Sequence, residues 1–283
     1  MTVIIDGKKI SSEIRAEIAA DVEKLKESGI TPGLAVIIVG EDKASQIYVR
    51  NKGRACAEVG IYSEIIELPN DTSESELLTR IDALNARADI NGILVQLPLP
   101  SHISEKAVTE RILSSKDVDA FSYENTGMLA CGSPRFLPCT PAGIMELLRR
   151  SDIDVCGKDC VVIGRSNIVG KPIAQLLLAA NGTVTVCHSK TPDIKSHTKR
   201  ADIIVCAVGK AGFLRGDMVK DGAVVIDVGI NRDESGKLCG DVDFESVSAK
   251  ASYNTPVPGG VGPMTITMLL ENTVKAAKLS AGK

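Results

Sequence analysis

Tyr48 and Lys52 stand four residues apart in YVRNK, so on a helix they share one face. Ala55 and Val59 continue that face and turn Lys52 toward apolar surroundings. A lysine deprived of water loses preference for its charged form, so its pKa falls and it can exchange a proton near neutral pH. The alternative is a packed stem with the amine left in water. Gln96 interrupts the apolar run GILVQL, and a buried amide needs partners: neighbouring backbone, Lys52 or a ligand. Asp119, in KDVDAF, reads as a solvated loop acid or, inside a cleft, as an acceptor for an aminopyrimidine edge.

A second group lies in VVIGRSNIVG, 161–170. An apolar run ends at Gly164, a polar turn carries Arg165 and Ser166, Gly170 closes it, and Pro172 opens the apolar segment IAQLLLA. Strand, glycine turn and helix start bring backbone N–H groups and a helix N-terminus close to a phosphate. Ser166 replaces one glycine of G-x-G-x-x-G and Gly170 comes one place late, so an ordinary βα turn has the same local sequence. After the run 183–187 comes His188-Ser189-Lys190-Thr191. NAD-specific folds usually place an acid there for the ribose hydroxyls. Here Ser189, Lys190 and Arg165 offer donors instead, which suits a 2′-phosphate and favours NADP over NAD. His188 reads as a base, a cofactor contact or a packing residue. The stretch TPVPGGVGPMT, 255–265, is stiffened by three prolines and bares backbone at three glycines. It suits a domain connector or a loop that holds a ligand.

These side chains need a frame. Apolar residues Ile14, Ile18, Val22 and Leu25 predict a helix over 11–28. The continuous apolar run 34–39 reads as a strand of a parallel sheet covered on both faces, and 63–68 and 92–97 read as its second and third strands. Helices are expected between and after them: 44–59, a segment opening on the capping pattern Ser73-Glu74-Ser75-Glu76, and 104–113. Ligands of open α/β sheets bind at the carboxyl ends of the strands, where the first turns of the 44–59 helix begin. The stretch 117–139 is less regular. Thr140 reads as an N-cap with Pro141 at the first helical position. A second set of strands follows at 160–164, 183–187, 203–207 and 224–228, then a final helix over 264–279. The expected class is α/β: two α/β domains, the second a Rossmann-like parallel sheet, with an active-site cleft between them.

Composition narrows the partners. The chain has 283 residues, net charge −3, no tryptophan and 3% aromatics. That disfavours nucleic acid and a base-stacking platform. The eight cysteines form no C-x-x-C pair and the three histidines show no metal spacing, so reduced core thiols in a cytoplasmic protein are expected. The first ten residues, MTVIIDGKKI, read as neither a signal peptide nor a membrane span.

The segments YVRNKGRACAEVGI, GILVQLPLP, KDVDAF, PCTPAGIMELL, VVIGRSNIVGKP, VTVCHSKT, DVGIN and TPVPGGVGPMT resemble the bifunctional methylenetetrahydrofolate dehydrogenase/cyclohydrolase family. The resemblance covers nearly the whole chain in the family's order. It implies oxidation of 5,10-methylenetetrahydrofolate by NADP, then hydrolysis of the methenyl product to 10-formyltetrahydrofolate. It implies Lys52 as the key catalytic residue, Gln96 tuning its charge state, Tyr48 stacking on the folate and orienting Lys52, and Asp119 anchoring the pterin. Val95, Leu97 and Pro258, Gly259, Gly260, Val261 and Gly262 would line the folate site. Gly164, Arg165, Ser166, Ser189 and Ile230 would hold NADP. No metal is expected, and the partner expected is a second copy in a homodimer paired through the cofactor domain. The resemblance and chain economy together give residues 1–139 as a catalytic domain joined by helix 264–283, and 140–263 as the cofactor domain. Tyr-x-x-x-Lys also occurs in short-chain dehydrogenases, but there it follows the nucleotide turn and here it precedes it.

The family pattern has glycine after the aspartate and histidine two places further on, where this chain has Ala120 and Ser122. Alanine strains the loop if that position has positive φ. Two other readings use the same residues: a dehydrogenase without the hydrolytic step, and a non-catalytic NADP- or folate-binding protein. The presence of both Lys52 and Gln96 argues against the first, and the full set of Tyr48, Lys52, Gln96 and Asp119 against the second.

Overall fold

The computed structural model of the chain describes residues 1–233 and 235–282. The chain opens with β1 (Val3–Ile4) and α1 (Gly7–Glu27). Then come β2 (Gly33–Val39), α2 (Lys43–Val59), β3 (Tyr62–Leu68) and α3 (Glu74–Ala86). These are followed by β4 (Gly92–Val95), α4 (Glu105–Arg111), α5 (Tyr123–Ala130) and α6 (Cys139–Arg150). The later half runs β5 (Asp159–Ile163), α7 (Gly170–Ala179), β6 (Thr183–Cys187), α8 (Ile194–Thr198), β7 (Ile203–Cys206) and β8 (Val224–Asp227). It ends with β9 (Asn231–Arg232), β10 (Leu238–Cys239), α9 (Phe244–Ser248), β11 (Tyr253–Asn254) and α10 (Val261–Ser280).

The chain divides into two compact units, one made of Glu13–Cys139 with Ile266–Lys283, the other of Met1–Ser12 with Thr140–Thr265. The first holds a parallel three-stranded sheet in the order β3-β2-β4. All seven residues of β2 are buried, as a central strand covered on both faces requires. Ile37, Leu77, Ile81, Ile90 and Ile93 form the centre of its core. Helix α3 starts as the capping pattern predicts, with Ser73 Oγ accepting from Glu76 N at 3.2 Å. Asp42 caps α2 by accepting from Ser45 N at 2.7 Å, and Gly60 ends that helix at φ +79°.

The second unit holds a six-stranded sheet in the order β1-β11-β8-β7-β5-β6, with every pair parallel. Strand β5 has β6 on one side and β7 on the other, so the strand order reverses between β5 and β7. The Rossmann-like parallel sheet is therefore present. Residues 1–12 belong to this unit rather than to the first. The reason is nonlocal: Val3 pairs with Tyr253, Ile4 pairs with Asn254, and Lys8 N donates to Gly259 O at 3.1 Å.

Other boundaries also differ from the sequence reading. Strand β4 stops at Val95, so Gln96 and Leu97 lie just past it, although Gln96 N still bonds Ile37 O at 2.8 Å. Pro98, with no N–H, closes the ladder. Helix α6 begins at Cys139, one residue before the expected cap Thr140. The irregular stretch contains α5, capped by Ser122. The segment 255–265 is only partly loop, because α10 begins at Val261. No helix among the described residues is long and apolar enough to cross a membrane.

Candidate active site

Lys52 lies on the buried face of α2 with Val49, Ala55, Cys56 and Val59, and is only 8% exposed. Its Nζ donates to Gln96 Oε1 at 2.9 Å. Gln96 Nε2 donates to Leu97 O at 2.6 Å, which leaves Oε1 as the atom turned to the lysine. The helix lysine thus reaches the carboxyl end of β4. Tyr48, one turn earlier, is 38% exposed, and burial of its ring pushes the phenol pKa up.

The backbone that brings in Asp119 runs beside β4. Asp117 forms a parallel bridge with Ile93, and Ile93 N donates to Lys116 O at 2.8 Å. Two residues further on, Asp119 stands near the end of β4 and close enough to Lys52 for their charges to interact. The buried Asp117 carboxylate holds the turn from within, accepting from Ser122 N at 2.8 Å and Asn125 Nδ2 at 2.9 Å. Ala120, buried in that turn, has φ +60°. The position thus requires the left-handed conformation, and alanine adopts it. Ser122 serves as the cap of α5, its Oγ accepting from Asn125 N at 3.4 Å.

Burial dominates the electrostatics of Lys52 and Asp119. It pulls the Lys52 pKa below the usual lysine value, and the Asp119 carboxylate works against that shift. Burial also pushes Asp119 above the usual carboxylate value, opposed by Lys52 and by the Cys139 thiol. Cys139 is held well above the usual thiol value by burial and by Asp119. It is an inert buried thiol.

Two polar residues that the sequence reading passed over shape this centre. Asn272, on α10 and 7% exposed, donates through Nδ2 to Val118 O and Leu137 O, both at 2.8 Å. It therefore ties the residues preceding both Asp119 and α6. Cys139 Sγ donates to Val118 O at 3.4 Å. Nothing in the local sequence MLLENTVKAA, where Glu271, Thr273 and Lys275 are polar too, singles out Asn272.

The second unit carries the other group of residues. Gly164, at φ +125°, follows β5 so closely that a Cβ there would lie 2.2 Å from Ala207 O. A Cβ at Gly170 would lie 2.4 Å from Gly164 O. At these two positions only glycine fits. Ser166 Oγ accepts from Val169 N at 3.2 Å and Gly170 N at 3.3 Å, closing the turn onto the start of α7. Arg165, Ser189 and Ile230 are exposed at the ends of β5, β6 and β8. His188 Nδ1 accepts from Lys190 N at 3.1 Å within its own turn, a local bond that leaves Ser189 and Lys190 outward. Pro258 and Gly259 lie in the turn before α10, while Val261 and Gly262 are in its first turn.

Residues 5–119 match the tetrahydrofolate dehydrogenase/cyclohydrolase catalytic domain, and residues 138–281 match the NAD(P)-binding domain of the same family. The chain belongs to the tetrahydrofolate dehydrogenase/cyclohydrolase family. Among relatives in this family, the bifunctional protein FolD of Moorella thermoacetica is 61% identical over 275 residues, covering 97% of this chain and 98% of that protein. FolD of Bacillus subtilis is 58% identical over 275 residues, covering 97% of each. The crystal structure of the bifunctional FolD of Campylobacter jejuni has a TM-score of 0.97 at 54% identity, over 99% of both chains. The FolD structure of Trypanosoma brucei, complexed with NADP cofactor and inhibitor, has a TM-score of 0.95 at 42% identity, over 100% of this chain and 99% of that one. In this tetrahydrofolate dehydrogenase/cyclohydrolase, Tyr48, Lys52, Gln96 and Asp119 all fall within the catalytic-domain match, and Gly164, Arg165, Ser166, Ser189 and Ile230 within the NAD(P)-binding match.

Proposed function

We propose that the chain oxidises 5,10-methylenetetrahydrofolate to 5,10-methenyltetrahydrofolate with NADP and hydrolyses that product to 10-formyltetrahydrofolate. The observation that carries this reading is the Lys52–Gln96 contact of 2.9 Å on a buried helix face, with Asp119 alongside. A binding protein gains nothing from a dehydrated amine, whereas a hydrolase needs a group that takes and returns a proton.

The second unit fits a dinucleotide. The turn from Gly164 to Gly170 packs backbone against backbone at both glycines and leads into a helix N-terminus. Bound there, NADP supplies the hydride acceptor. Gly164 and Ser166 shape the turn, Arg165 and Ser189 donate to the 2′-phosphate, and Ile230 offers an exposed apolar face to a ring.

In the first unit, Asp119 accepts hydrogen bonds from the aminopyrimidine edge, and Tyr48 supplies a ring to stack on the folate. Val95 and Leu97, both half-buried, flank Gln96 and line the site. Pro258, Gly259, Gly260, Val261 and Gly262, which belong to the second unit, are assigned to folate binding as well, with bare backbone at the three glycines. In the hydrolytic step water adds to the cationic methenyl carbon and gives up a proton, and the bond from that carbon to N5 breaks as the resulting hydroxyl releases its own proton to solvent and becomes the formyl C=O. Lys52 takes the water's proton and protonates N5. Gln96 fixes the amine's direction and, through Oε1, supports its charged form. A homodimer in the cytoplasm completes the proposal.

Two optical assays test it. Reduced cofactor is followed with methylenetetrahydrofolate and NADP, and loss of methenyltetrahydrofolate is followed separately. Both signals are expected. The first alone supports a monofunctional dehydrogenase, and the absence of both overturns the reading.

A further inference from the structure

Asp227 and Asp241 form a buried pair of carboxylates in the second unit, 3% and 0% exposed. Asp241 Oδ2 accepts from Val208 N at 2.6 Å and Gly209 N at 2.9 Å. Its Oδ1 accepts from Lys210 N at 2.9 Å and Asn231 Nδ2 at 2.8 Å. Asp227 in turn accepts from Gly229 N and Asp241 N, both at 2.9 Å, and from Val242 N at 3.0 Å. Backbone comes unusually close around the pair: a Cβ at Gly240 would lie 1.7 Å from Asp227 Oδ2, and one at Gly229 would lie 2.2 Å from Asp241 N.

The segments held this way are specific. Val208–Lys210 follows β7, and Gly229–Asn231 follows β8. Both emerge at the carboxyl ends of strands, β7 flanking the place where the sheet order reverses and β8 being its next neighbour; open α/β sheets bind ligands at that place. Ala207, immediately before the first segment, is the residue against which Gly164 packs. Three consecutive backbone N–H groups form an anion-binding nest. Here the chain fills that nest with its own carboxylate. A pair of buried carboxylates is a costly staple for loops that apolar packing could hold. What a carboxylate adds is direction, because it sets the orientation of each N–H it binds.

We propose that Asp241 is a positioning residue for the dinucleotide: it fixes the loops after β7 and β8 as one wall of the cofactor crevice. This rests on the dinucleotide reading given above. Asp241→Asn keeps the shape but sets an amide N–H2 against donors on at least one side, freeing the loops.

The bifunctional enzyme supplies its own control, because hydrolysis of methenyltetrahydrofolate consumes no dinucleotide. The full chain and its Asp241→Asn variant are titrated with NADP, and both activities are measured, the hydrolytic one without dinucleotide. The expected result is an NADP Kd and KM raised at least about tenfold, with cyclohydrolase kcat/KM within about twofold of the wild type. If Asp241→Asn does not fold, Asn231→Ala unties the β8 loop alone. It should raise the NADP Kd about threefold with the same constancy of hydrolysis. An NADP Kd within twofold of wild type in the folded variant, or equal losses in both activities, overturns the positioning role. Failure of the wild-type chain to bind NADP overturns the dinucleotide reading itself.

Discussion

Lys52 Nζ and Gln96 Oε1 meet at 2.9 Å across two layers of the first unit, the one from α2 and the other from the first residue after β4. The contact exists because β2 and β4 are adjacent parallel strands, so Lys52, on the helix that leaves β2, reaches the residue that follows β4. Gln96 cannot rotate freely, since its amide nitrogen is engaged by Leu97 O. The amine is therefore aimed, dehydrated and bonded to a neutral acceptor that tolerates it with or without its extra proton.

Asp119 is the charge that resists the dehydration of Lys52. Asp119→Asn removes it, so the lysine pKa falls further below its ordinary value. The limb of the cyclohydrolase pH profile that reports Lys52 should move to lower pH in the variant. A limb that stays in place or moves up contradicts the pairing.

Ala120 carries strain because its φ of +60° suits glycine. The left-handed region costs an L-residue roughly 1–2 kcal/mol. Ala120→Gly relieves this but returns roughly 0.4–1 kcal/mol of freedom to the unfolded chain. The net expectation is a gain of about 0.5–1 kcal/mol and a Tm raised by roughly 1–3 °C. Folate KM should stay within about twofold, because the turn is held by Asp117, Asn125 and Asn272 rather than by residue 120. A lower Tm in denaturation scans contradicts the strain.

Arg165 is exposed directly after Gly164, and no acid stands at the end of β6. Loss of a hydrogen bond to a charged group costs about 1.5–3 kcal/mol. Arg165→Ala should therefore weaken NADP about tenfold or more while leaving NAD nearly unchanged. Equal losses for the two dinucleotides, measured by titration, contradict a contact with the 2′-phosphate.

Much of this was legible in the residues, and what was not has a common cause. The apolar runs of β2 and β5 identify buried parallel strands, and Ser73 with Glu76 marks a helix start, because those signals are local. Helix α5 escaped because YENTGMLA has a glycine inside it and little apolar periodicity. The home of residues 1–12 depends on β1 pairing with β11, some 250 residues away. Asn272 and Asp241 read as ordinary helix and loop polar residues. Their importance comes from partners 154 and 33 residues distant, Val118 and Val208. The Lys52 face was readable from helical spacing, but the 2.9 Å bond that gives it meaning required the sheet order.

The most direct test of the account is the cyclohydrolase rate of Lys52→Met. Methionine matches the apolar face of α2, so the variant should fold with a Tm close to that of the wild type. A general acid–base group contributes about 10²–10⁴-fold, and loss of methenyltetrahydrofolate hydrolysis by at least about 10² is the expected result. Hydrolysis retained within about tenfold of the wild-type rate in the folded variant would show that the buried amine does not carry the proton.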